Sequence, residues 1–122
     1  MKHLKTYNES IDEIEQNLKD ICLELQDDGF EVLVSTKLRN YKLVSIRKPQ
    51  KIFLLDSITE YKERLIDYME SEGYQCEIYV NNPLTDKDME LYKFKELLKN
   101  SKDQEKHYWQ RGYINRIKFK FE

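Results

Sequence analysis

Alanine is missing altogether from this 122-residue chain, and glycine (3), proline (2), cysteine (2) and histidine (2) are scarce. Each shortage excludes something. Two cysteines, Cys22 and Cys76, make neither a disulfide framework nor a four-thiolate zinc site. Three scattered glycines leave no glycine-rich loop for a phosphate. His3 and His107 have no partner residues that would make either a general base, so the nucleophile, base and orienting group of an enzyme are not assembled. No apolar run approaches the roughly 20 residues of a membrane-spanning helix, and the N-terminus lacks the apolar stretch of a signal peptide.

What is present reads as one domain. The chain is 39% hydrophobic, 12% aromatic and 36% charged, which is polar, but its apolar residues are regularly spaced. Ser10 and Glu13 form a capping box ahead of a helix running to about Asp28, with Ile11, Ile14, Leu18, Ile21, Cys22 and Leu25 on one face and Gly29 as its stop. Phe30, Val32 and Val34 alternate as a strand, Leu38 to Tyr41 turn, and Lys42 to Ile46 return. Pro49 ends that strand or marks an edge, and Ile52 to Leu55 resume it. Ser57 and Glu60 repeat the capping box, Ile58, Tyr61, Leu65, Tyr68 and Met69 repeat the apolar face, and Gly73 stops this second helix. Tyr74, Cys76, Ile78 and Val80 alternate again. Thr85 and Asp88 cap a third helix to about Asn100, whose apolar positions Met89, Tyr92, Leu97 and Leu98 predict peripheral packing. Ile114 to Phe121 is an amphipathic strand.

The expected fold class is therefore α+β: a flexible leader over residues 1–9, then a single domain over 10–122 in the order α-β-β-α-β-α-β. Its four-stranded, mainly antiparallel sheet carries the two capped helices on one face. The arrangement resembles a ferredoxin-like fold with its first strand moved to the end. An edge strand near Pro49, or the C-terminal strand, is a candidate for pairing across a homodimer. Cys22 and Cys76 fall on apolar faces and read as small core residues of a reducing compartment.

Net charge is only −2, but it is unevenly spread. Residues 9–31 hold nine acids and one lysine, and residues 56–72 hold six acids and two bases. Residues 37–51 hold six bases and no acid, and residues 106–122 hold five bases and one acid. Acidic helices on one face predict a basic opposite face, with Arg39, Lys42, Arg47, Lys48, Arg111, Arg116, Lys118 and Lys120 near phosphates and Trp109 or Tyr113 stacking on bases. The structural reading of the same residues is a solvated surface that discourages edge-to-edge aggregation, with Trp109 and Tyr113 locking the third helix to the sheet. No metal site and no cofactor are expected. Asp27, Asp28, Asp86 and Asp88 read as solubilising or capping groups.

Residues Lys5-Thr6-Tyr7-Asn8-Glu9-Ser10-Ile11-Asp12-Glu13 resemble the capsid-targeting leader of internal head proteins of T-even-like phages, which reads Lys-Thr-Tyr-Gln-Glu-Phe-Ile-Ala-Glu. Six of the nine positions agree. The resemblance implies packaging into the virion and cleavage after an Ile-x-Glu triplet, here Ile11-Asp12-Glu13. That cut would remove the first helix cap, at a cost of about 1 kcal/mol. The lack of alanine, with 16 lysines to 5 arginines, fits the AT-rich codons of many bacteriophages. Together these features predict a phage accessory protein that binds a host or virion protein without catalysis, in the host cytoplasm or the virion and neither secreted nor membrane-bound. Nucleic-acid binding on the basic face is the alternative, and an enzyme with a site near His107 the third.

Overall fold

The computed structural model describes residues 13–81, 88–100 and 112–122. Helix α1 covers 13–21, and α2 continues it over Leu23–Asp27 after a break at Cys22. Strands β1 (Glu31–Ser35) and β2 (Lys42–Arg47) follow, then β3 (Phe53–Leu54). A 3₁₀ turn at Leu55–Ile58 leads into α3 (Thr59–Ser71). Strands β4 (Cys76–Asn81) and β5 (Asp88–Glu90), helix α4 (Leu91–Asn100), and strands β6 (Tyr113–Ile114) and β7 (Arg116–Phe121) complete the chain.

Mixed helix and antiparallel sheet make this an α+β protein. The main sheet has five strands rather than four, in the order β1-β2-β7-β4-β5, and β3 pairs with β6 in a separate ribbon. The fifth strand is Asp88–Glu90, expected as the capped first turn of the third helix, with Met89 among its apolar positions. It lies antiparallel to β4 with Met89 opposite Val80 on the apolar side, and α4 starts only at Leu91. Phe53–Leu54 do not resume β2, because they pair with β6. Nor is the C-terminal strand an edge. β7 lies between β2 and β4 and pairs with both along its whole length. Of the two readings of Pro49, the strand ending holds, because β2 stops at Arg47 and Pro49 lies in the turn beyond it, while β2 is no edge, being flanked by β1 and β7.

Both helices end in the same way. Gly29 and Gly73 have φ of 93° and 92°, a conformation that costs side-chain-bearing residues about 1 kcal/mol or more. Phe30 N donates to Leu25 O and Gly29 N to Gln26 O. Tyr74 N donates to Met69 O and Gly73 N to Glu70 O. These are paired Schellman bonds, and in each the following aromatic is partly buried near the last core residue of its helix. The repeated helix–glycine–aromatic–strand unit thus has a local hydrogen-bonding basis. The second capping box is not formed. Ser57 lies inside the 3₁₀ turn, where its hydroxyl donates to Leu54 O at 2.6 Å, and no side chain caps α3. Ser10 and Ile11 lie outside the described residues.

Asn17 donates to the Tyr68 hydroxyl at 2.9 Å, and the Tyr61 hydroxyl donates to Glu24 at 2.8 Å. Positions 17 and 24 are two turns apart, as are 61 and 68, so the α1–α2 segment and α3 run antiparallel, side by side. Their buried side chains Ile14, Leu18, Leu25, Leu65 and Met69 join Val44, Ile46, Val80, Ile117, Phe119 and Phe121 in one core. The third helix contributes more than its sequence suggests. Phe94 is fully buried, while Tyr92 and Leu97, expected to pack, are exposed. Trading Phe119 for alanine empties the centre of this core, and should lower unfolding free energy by about 3–5 kcal/mol. Chemical denaturation of Phe119→Ala checks this; a loss below about 1 kcal/mol would place Phe119 outside a close-packed core.

Candidate functional site

Alternation along the strands sends one set of side chains into the core and the other to an uncovered face. The open set comprises Glu31, Leu33 and Ser35 on β1, Leu43, Ser45 and Arg47 on β2, Arg116, Lys118 and Lys120 on β7, Glu77, Tyr79 and Asn81 on β4, and Asp88 and Glu90 on β5. All but Asn81 keep some exposure, and none joins the core cluster. The register stacks them in rows. Glu31, Arg47, Arg116, Asn81 and Asp88 form one, and Leu33, Ser45, Lys118, Tyr79 and Glu90 the next.

This face is charge-balanced, not basic. Four cations (Arg47, Arg116, Lys118, Lys120) meet four carboxylates (Glu31, Glu77, Asp88, Glu90), with Glu122 as a fifth at the end of β7. Arg47 Nε lies 2.6 Å from Glu31, Arg116 Nη2 3.2 Å from Asp88, Lys118 Nζ 2.9 Å from Asp88, and Lys120 Nζ 3.2 Å from Glu122. The acids come from β1, β4 and β5, and only the register brings them onto this face. The hydrogen bond that Lys120 donates to Glu122 raises the pKa of Lys120. Burial pushes the Asp88 carboxyl up, but hydrogen bonds from Lys118 and Arg116 outweigh it and hold the pKa below the ordinary carboxylate range.

Two of the expected cations are off this face. Lys42 stacks over the Tyr74 ring at 4.9 Å and Lys48 over Phe30 at 5.0 Å; Lys42 continues the core-facing alternation of Val44 and Ile46, and Lys48 sits at the end of the sheet. Arg39 is exposed in the β1–β2 connection, and Tyr113 is partly buried opposite Leu54. Trp109, Arg111, His3, His107, Thr85 and Asp86 lie outside the described residues. Glu13 is exposed at the start of the described chain.

At one end of the sheet, a groove of about 780 Å³ gathers Arg47, Lys48, Lys51 and Arg116 with Gln50, Asn81 and Asn115. Its lip is the turn Lys48–Lys51, closed by Lys51 N donating to Lys48 O at 3.0 Å. Pro49 sits at the second position and Gln50, with φ 58°, at the third, the pattern of a type II turn. Asn115 donates to Asn81 Oδ1 at 2.9 Å, fixing the floor, and Arg116 Nε is buried without a hydrogen-bond partner. Sequence reading missed Lys51, Asn81 and Asn115, because the turn, β4 and the β6–β7 junction meet only through the sheet register.

The thiols are poor nucleophiles. Burial pushes Cys22 up to about 11 and Cys76 up to about 12, so both are protonated at neutral pH. Among the described residues no three His, Cys, Asp or Glu side chains converge to hold a metal ion, and no helix is long and apolar enough to cross a membrane. Comparison with protein-family models, curated proteins and solved structures returns no match.

The helix layer carries the strongest charge. Glu13, Glu15, Asp20, Glu24, Asp27 and Asp28 face one base, Lys19, across 13–28, which gives −5. Asp56, Glu60, Glu63, Asp67, Glu70 and Glu72 face Lys62 and Arg64 across 56–72, which gives −4. Glu60, Glu63, Asp67 and Glu70 are all exposed and recur at spacings of three and four, one stripe along α3.

Asp88 ties β5 to β7 across β4, so Asp88→Asn should lower stability by about 1 kcal/mol at neutral pH. A depressed native pKa contributes stability above the unfolded value and loses it as pH falls through the native one. The gap between wild type and Asp88→Asn should therefore close in acid, as followed by urea denaturation at a series of pH values. A gap that persists in strong acid would show that Asp88 acts by something other than its charge.

Proposed function

We propose that this protein is a phage accessory protein that acts by binding a basic protein partner through its acidic helix layer, without catalysis. The observation that carries this reading is the separation of charge. The helix layer bears −9 over 13–28 and 56–72, while the open sheet face is balanced by its own ion pairs. A surface dense in carboxylates steers and orients a cationic partner. A basic, nucleic-acid-handling protein of the virion or the host has the complementary chemistry, and the virion or the host cytoplasm is where the two would meet. The phage assignment rests on the leader resemblance and the alanine-free composition.

The four longer strands, β1-β2-β7-β4, with every neighbour antiparallel, support reading the sheet as a ferredoxin-like arrangement whose first strand stands last, extended by β5.

A second reading, nucleic-acid binding, is favoured by the groove of Arg47, Lys48, Lys51 and Arg116. Against it, Arg47 and Arg116 are already engaged by Glu31 and Asp88, and counterion release depends on cations free to replace the salt around phosphates.

Neutralising the α3 stripe separates the two. Each exposed change costs at most about 0.5 kcal/mol, so Glu60→Gln, Glu63→Gln, Asp67→Asn and Glu70→Gln together should leave the circular dichroism spectrum intact. Affinity capture from infected cells should return a specific basic protein with the wild type and lose it with the neutralised variant. Equal capture by both, or no protein retained by either, contradicts the proposal. Salt-sensitive binding of an oligonucleotide by both proteins alike would instead support the groove.

A further inference from the structure

We infer that two copies of this chain associate by pairing their β1 strands, fusing two five-stranded sheets into one. The inference concerns the sheet edge and is independent of what the helix layer binds.

A sheet edge offers a row of unpaired N–H and C=O groups, and folded proteins guard long edges with lysine, proline, bulges or inward-pointing charge. The two edges of this sheet differ. β5 is three residues long, whereas β1 presents five residues, Glu31-Val32-Leu33-Val34-Ser35, with β2 on one side only among the described residues. β1 contains no lysine and no proline, and it pairs with β2 without a bulge from Glu31 to Ser35. At its centre Leu33 is 61% exposed, the most of any large apolar side chain described.

The strand is also complementary to itself. An antiparallel pair about a two-fold axis at Leu33 sets Leu33 against its own copy, Val32 against Val34, and Glu31 against Ser35. It uses every residue of β1 and opposes no like charges. It keeps both open faces on one side and both helix layers on the other, because directly opposed residues share a face. A slip of one residue would turn the two copies' faces to opposite sides of the joined sheet.

Charge selects the same orientation. The chain enters β1 from an acidic segment ending in Asp27 and Asp28 and leaves it into a basic one beginning with Lys37 and Arg39, and all four side chains are exposed. Antiparallel self-pairing lays the acidic end against the basic end twice. Parallel pairing would oppose like with like. Edge pairing over five residues buries a small area, so the dimer should be reversible and concentration-dependent.

Sedimentation velocity of the full chain across a concentration series at low salt tests this. The mass should rise from 14.9 kDa toward twice that value. Leu33→Lys and Leu33→Glu each place like charges on the axis and should abolish the rise. Mixing the two variants should restore a dimer, because the axis then joins opposite charges. A single 14.9 kDa species at every concentration overturns the inference, as does a dimer that Leu33→Lys leaves intact. Amide exchange over residues 31–35 gives a readout without substitution. It should slow as the wild type is concentrated, and indifference to concentration would also overturn the inference.

Discussion

The sheet depends on one strand, and it is the last in sequence. β7 hydrogen-bonds β2 on one side and β4 on the other, so among the described residues it joins the halves β1-β2 and β4-β5 into one sheet. Ile117, Phe119 and Phe121 fill the middle of the core, while Arg116, Lys118 and Lys120 occupy the middle of the open face. Its partners are distant in sequence, since Lys42 pairs with Phe121 and Cys76 with the same residue. Such closure costs chain entropy before any contact rewards it, and places the sheet among slower-forming topologies. The cost is offset by burying three large apolar side chains, each worth about 1.5–3 kcal/mol.

The same strand decides the electrostatics. Three cations on one strand would repel one another on a bare surface. Here β4 and β5 bring carboxylates to one flank, and Asp88 bridges Arg116 and Lys118. The pairs are half-exposed and individually weak. Their consequence is a face without a strong field, which leaves the helix layer as the charged side of the molecule. The functional reading follows from this contrast, because a partner approaching in solution responds to the unbalanced surface first.

Much of the fold was legible in the chain. Gly29 and Gly73 marked both helix ends, since a left-handed stop is a local requirement. The alternation of Ile117, Phe119 and Phe121 marked β7. Where local signals competed with pairing, reading failed. Asp88–Glu90 looked like the start of the third helix and became a strand, because β4 offered Met89 a place opposite Val80. Ser57 had the spacing of a cap but bonds backward to Leu54. The basic face was misjudged for a similar reason. Its cations lie in two segments that stand out in sequence, whereas Glu77, Asp88 and Glu90 join them only through the register. Lys42 belongs to the opposite side, with its ammonium over Tyr74, and Lys48 sits at the end of the sheet with its ammonium over Phe30.

Native-state hydrogen exchange tests the central role of β7 most directly. If the strand holds both halves of the sheet together, its amides open only when the whole molecule unfolds. The amides of 116–121 should then be the slowest in the protein, with an opening free energy equal to that of global denaturation, while those of β5 exchange through smaller openings. Exchange of β7 as fast as that of β5 would contradict the account and show that the halves stay together without it.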